Sequence, residues 1–175
     1  GVINIDAGIF RWSSHFPWRD VPLRDMIQAR LGCRVYLADR PKAAVLGERW
    51  YGAGQGVEDL VYIHLGSGIG AGLMIRGELY TGATYIAGEF GHITVSPDGP
   101  PCSCGNYGCL ETLASGPAIA RRAVALAKAG RPTILSTWTG GNLELISAKM
   151  VDDAAAQGDA LSLDVIRETG EWIGI

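Results

Sequence analysis

Within eighteen residues this sequence places His92, Cys102, Cys104 and Cys109, and four such side chains sharing one ion leave a loop very little conformational choice. Three thiolates and one imidazole complete a tetrahedral zinc set with no position open to substrate, so the expected metal is structural. Gly105 and Gly108 let the backbone wrap a small ion. A disulfide is the competing reading. Cys102 and Cys104 are too close in sequence to pair comfortably, and no signal segment points to an oxidising compartment. Cys33, the remaining thiol, follows Gly32 at the end of a helical stretch and is expected to pack in the core. Two carboxylates, Glu89 and Glu111, bracket the loop, so whatever pins the loop also aims them.

Several function classes are excluded by composition. With 47% hydrophobic and 19% charged residues the chain is globular. Its formal net charge of −3 leaves no basic footprint for wrapping nucleic acid. No apolar run reaches the roughly 18 residues that span a membrane, and the expected location is the cytoplasm. At 175 residues the chain is one ordinary domain or pieces of two.

Pro22 and Gly32 bracket an apolar-periodic stretch and predict a helix, and Pro41 to Gly52 predicts another. Val35–Leu37 reads as a short β run before Asp39. Leu60–Leu65 and Leu73–Ile75 read as strands around Gly66–Gly72, with a hairpin returning at Leu79 and Tyr80. A short strand is expected over His92–Val95. Beyond Glu111 helices dominate, over 116–129, 147–157 with Ser147 as N-cap, and 160–173. The segment 130–142 reads as a loop. The expected division is an α/β part with the metal loop over 1–115 and a helical part over 116–175.

Because the Gly66–Gly72 loop joins two strands, the Rossmann and P-loop readings are excluded. Gly66, Ser67, Gly68 and Gly70 could still present N–H and hydroxyl donors to phosphate. A glycine-rich turn with no ligand is an equal alternative. Asp39 could act as general base toward a hydroxyl, although on local grounds an N-cap for the Pro41 helix is the better reading. His92 can give one ring nitrogen to a metal and the other to a neighbour. Trp50 and Trp172 sit at helical spacing and are expected in the core, whereas Trp12 and Trp18 flank a loop carrying Ser14 and His15 and are better placed to meet a sugar.

The run Gly88-Glu-Phe-Gly-His92, with Pro97-Asp-Gly-Pro-Pro-Cys-Ser-Cys-Gly105 and Gly108-Cys-Leu-Glu111, resembles the signature of the ROK (repressor, ORF, kinase) family. Gly66-Ser-Gly-Ile-Gly-Ala-Gly72 resembles its second phosphate loop. Trp18–Leu23, the Asp39 region through Glu48 and Tyr51-Gly-Ala-Gly54 extend the likeness along most of the chain. The resemblance implies an actin-like, hexokinase-type (ribonuclease H-like) α/β fold, mostly one lobe of it here. It also implies a sugar held by Ser14, Asp39, Glu89, His92 and Glu111, and zinc on His92, Cys102, Cys104 and Cys109. In kinases of the family the residue matching Asp39 takes a proton from a sugar hydroxyl, which attacks the γ-phosphate of Mg-ATP.

The chain departs from the kinase pattern. Ala38 stands where those enzymes usually carry Asn, and Pro41 where a second Asn is common. The Asp-x-Gly-x-Thr phosphate hairpin is absent from these residues, which are expected to be a fragment. The favoured expectation is therefore the sugar-sensing domain of a ROK-type regulator, a homo-oligomer reaching operator DNA through a domain N-terminal to these residues. An ATP-dependent hexose or N-acetylhexosamine kinase is the alternative. A ligand-free relic with a structural zinc is a third.

Overall fold

The computed structural model describes residues 1–13 and 17–174. It divides into two compact units, one formed by 1–64 with 70–89 and the other by 65–69 with 90 onward.

In the first unit β1 (Val2–Asn4), β2 (Ile9–Trp12) and β3 (Arg19–Val21) form an antiparallel sheet in chain order. Helix α1 (Leu23–Leu31) follows Pro22 and stops at Gly32, whose left-handed backbone returns its N–H to Gln28 O. Helix α2 (Arg40–Tyr51) starts on Asp39, with proline in its first turn and Gly52 at its end. A second sheet orders β4 (Leu60–Leu65), β5 (Ile69–Ile75) and β6 (Glu78–Tyr80). Helix α2 lies tight on β5. A Cβ on Gly72 would stand 2.2 Å from Pro41 O and 2.7 Å from the Val45 side chain, so only glycine permits this approach.

Three expectations fail in this unit. Val35–Leu37 joins no ladder, and a β-rich run without a partner is not a strand. Cys33 is exposed, because the left-handed turn at Gly32 carries the chain off the helix. Trp50 is 59% exposed, since α2 turns Val45 and Lys42 inward instead.

The second unit is mainly helical, with α3 (Leu110–Ala114), α4 (Gly116–Lys128), α5 (Leu135–Trp138), α6 (Ala148–Ala156) and α7 (Ala160–Ile173). Ala123, Leu135, Val151, Ala154, Leu161 and Val165 are fully buried and form one core. Each leucine there contributes roughly 1.5–3 kcal/mol by burial. Ser147 caps α6 by accepting from Met150 N. Asp159 caps α7 through Ser162 N and also accepts from Ile134 N and Thr133 Oγ1. The expected 130–142 loop contains α5, because burying Leu135 in that core organises a helical turn around it. In place of the expected strand at His92–Val95, Phe90–His92 is a 3₁₀ turn and Thr94 makes one isolated bridge to Cys109. Gly91 is pressed so close to Ile69 O that a Cβ would stand 2.3 Å away. Among the described residues no helix is long and apolar enough to cross a membrane.

Candidate functional site

The candidate metal loop is built by its backbone before any ion is considered. Val95 and Ser96 N–H both donate to Gly108 O (2.9 and 3.2 Å), and Gly108 N donates to Pro100 O (2.8 Å). Cys102 N donates to Asn106 O at 2.7 Å. Gly108 has φ +57°, and a Cβ there would lie 1.5 Å from Ser96 O, so this turn requires glycine twice over. The folding brings the ligand atoms of His92, Cys102, Cys104 and Cys109 within 4.8 Å of one another. Cys104 Sγ is 3.7 Å from Cys109 Sγ, and Cys102 Sγ is 3.5 Å from His92 Nδ1. Sulfurs at 2.3 Å on a tetrahedral ion are separated by about 3.8 Å, so the spacing fits such an ion.

Electrostatics within the cluster point the same way. Burial, reinforced by Cys102 and Cys104, pushes the Cys109 thiol up to about 12. Cys104 is lowered from its ordinary value, chiefly because the Asn106 backbone N–H donates to it. One sulfur thus favours the thiolate while its neighbour resists ionising unless a cation neutralises the group. His92 turns Nδ1 toward Cys102.

Glu111 lies in the first turn of α3, half-buried, and its Oε2 accepts from Ile69 N at 2.9 Å. A Cβ on Gly68 would stand 2.5 Å from that oxygen. Gly116 N donates to Gly66 O at 2.8 Å. The glycine turn between β4 and β5 is therefore seated on the start of α3 and α4, with Glu111 against it. Two N–H groups there are already engaged, Ile69 with Glu111 and Gly66 with Gly68 O. Exposed Ser67 remains at the tip, while Gly70 lies in β5 and belongs to the first unit. A cleft of about 380 Å³ opens beside this turn, with Ser67, Cys102, Glu111, Ser115 and Arg121 among its lining residues. Arg121, which donates to Thr112 O at 2.9 Å, had no distinguishing sequence signal beyond its place one turn into α4.

The first unit holds Asp39 and Glu89. Asp39 Oδ1 accepts from Lys42 N at 3.0 Å, and its Oδ2 is in contact with Lys42 Nζ. The Lys42 side chain is 4% exposed and that of Asp39 15%. Lys42 Nζ also donates to Tyr85 O at 3.3 Å, and Tyr85 OH donates to Asp6 Oδ2 at 2.9 Å. Asp39 is thus the N-cap favoured on local grounds, though no strand precedes it. The i,i+3 spacing of Lys42 was a legible signal that sequence reasoning passed over. Glu89 is half-buried and donates its N–H to Ile86 O at 3.4 Å. Ser14 lies outside the described residues.

The ROK family model matches residues 1–175. The glucokinase of Thermotoga maritima is 43% identical over 164 residues, covering 93% of this chain and 51% of the enzyme. The xylose repressor of Caldicellulosiruptor bescii is 35% identical over 175 residues, covering 100% of this chain and 43% of the repressor. The chain thus spans about half the length of these curated relatives. Among solved structures, a ROK family glucokinase from Streptomyces griseus in complex with glucose and AMPPNP superposes with a TM-score of 0.92 at 38% identity, over 99% of this chain and 56% of that one. The fold is the mixed α/β, actin-like and hexokinase-type one. Signature loop, fold and extent of match agree, and the chain belongs to the ROK family.

Proposed function

We propose that this chain is the sugar-sensing part of a ROK-type transcriptional regulator, binding a hexose or hexose derivative next to a loop held by structural zinc on His92, Cys102, Cys104 and Cys109. The observation that carries the reading is the state of Asp39. Both carboxylate oxygens already accept from Lys42, one as a helix cap and one as an ion pair; each keeps a lone pair for a sugar hydroxyl, and this structural engagement favours a hydrogen-bonding role over that of a base. Glu111, oriented by Ile69 N, and His92, oriented by the metal, would accept and donate to sugar hydroxyls in the second unit. Ser14, Asp39 and Glu89 would do so in the first. Zinc would supply no reaction step; it would neutralise the thiolates and fix the imidazole. Binding would shift an equilibrium between two states of the regulator, and DNA contact would fall to sequence outside these residues.

A kinase is the second reading, favoured by the 43% identity to the Thermotoga maritima glucokinase. Asp39 would then be the general base, and Gly66, Ser67, Gly68 and Gly70 would meet the phosphates of Mg-ATP. The test adds a panel of hexoses and N-acetylhexosamines with Mg-ATP to the intact protein, following binding by calorimetry and ADP release. Saturable sugar binding without ADP release is expected. Turnover that vanishes in Asp39→Asn would establish the kinase instead.

A further inference from the structure

The Asp39 neighbourhood contains a buried cation whose effect on sugar affinity the sugar-binding reading leaves unspecified. Lys42 is 3% exposed, and an ammonium so far out of water persists only where its donors are matched. Here they meet Asp39 Oδ2 and Tyr85 O. Tyr85 is itself unusual. It has φ +63°, a left-handed conformation costly for a bulky side chain. Its hydroxyl is tied to Asp6 at 2.9 Å, which anchors the residue whose carbonyl receives Lys42. The arrangement places the ammonium on Asp39 Oδ2, the carboxylate oxygen that does not cap α2.

We propose that Lys42 is a positioning residue that holds Asp39 in place at the start of α2 and competes with a bound sugar for its Oδ2. The inference rests on the sugar-sensing reading. Sugar binding at Asp39 then proceeds against a resident intramolecular donor, and the affinity observed is what remains after that competition. Replacing Lys42 by an uncharged side chain removes the competitor while leaving the backbone N–H that Asp39 caps. Sugar affinity therefore rises even as stability falls. A residue whose role is only to fill space produces the opposite pairing, with affinity and stability falling together.

The experiment uses the intact protein, Lys42→Met and Lys42→Gln, titrated calorimetrically with D-glucose, D-xylose and N-acetyl-D-glucosamine, with melting temperature and ADP release from Mg-ATP measured in parallel. For whichever probe binds, both variants are expected to bind it about tenfold more tightly, the worth of one charge-assisted hydrogen bond, with a lowered melting temperature. Either variant suffices if the other fails to fold. Unchanged or weakened affinity in the folded variants overturns the role of Lys42 while leaving the sensor reading intact. Failure of every probe to bind the unaltered protein overturns the sensor reading and this inference with it. ADP release by the unaltered protein overturns the sensor reading, and with it the inference that rests on it.

Discussion

The Asp39–Lys42 pair predicts an asymmetry that separates a buried ion pair from a surface one. In Asp39→Ala the α2 cap is lost, costing about 1 kcal/mol. The Lys42 ammonium, on a side chain 4% exposed, keeps only the Tyr85 carbonyl at 3.3 Å as acceptor. An uncompensated buried charge of this kind costs about 3–5 kcal/mol, so the whole change is about 4–6 kcal/mol. Lys42→Met leaves the Asp39 side chain, which is 15% exposed and still accepts from the residue-42 backbone N–H. A side chain exposed to that extent keeps part of its hydration and the methionine fills most of the space, so about 1–2 kcal/mol is expected. Asp39→Asn, which retains a cap, should fall about 1 kcal/mol short of the alanine variant. Urea unfolding read by linear extrapolation with unchanged m-value measures all three. Equal losses for Asp39→Ala and Lys42→Met, or a larger loss for lysine, would refute the burial argument, because the charge left behind would then not matter.

Three further outcomes are expected. Cys104→Ala should cost several kcal/mol by breaking the metal set, whereas exposed Cys33→Ala should stay within about 0.5 kcal/mol; equal melting shifts would remove the metal assignment. Stripping metal with a chelator should free the 92–109 amides to hydrogen exchange and abolish sugar binding, and undiminished affinity in verified metal-free protein would sever that coupling. Burial pushes Asp159 upward, but hydrogen bonds from Ser162, Ile134 and Thr133 outweigh it and hold the carboxyl below its ordinary 3.8. Its stabilisation is thus present above the unfolded value and lost as pH falls through the folded one. Asp159→Asn should cost about 2–3 kcal/mol at pH 7, a gap that urea titrations should find closing only below about pH 4.

Local chemistry was readable along the chain. Pro22 and Gly32 bound α1, Asp39 with Pro41 starts α2 and Ser147 caps α6, all as spacing implies; the glycine run does turn between two strands, but only over 66–68, since β5 already begins at Ile69 and takes in Gly70 and Gly72. The four metal-loop residues lie within eighteen positions, near enough for their clustering to be foreseen. Contacts between distant residues were not readable. Glu111 meets Ile69 across 42 positions and Lys42 meets Tyr85 across 43, and no periodicity encodes such pairings. Cys33, Trp50 and Leu135 went astray for the same reason. Burial is a property of what arrives from elsewhere in the chain, so a thiol after a helix, a tryptophan at helical spacing and a leucine in a polar stretch take their places only once the units pack. Short-range propensity and spacing determined most of the helices and the clustering of the candidate metal ligands; tertiary packing decided which carboxylates, cations and apolar groups were withdrawn from water, because desolvation requires neighbours that local sequence does not specify.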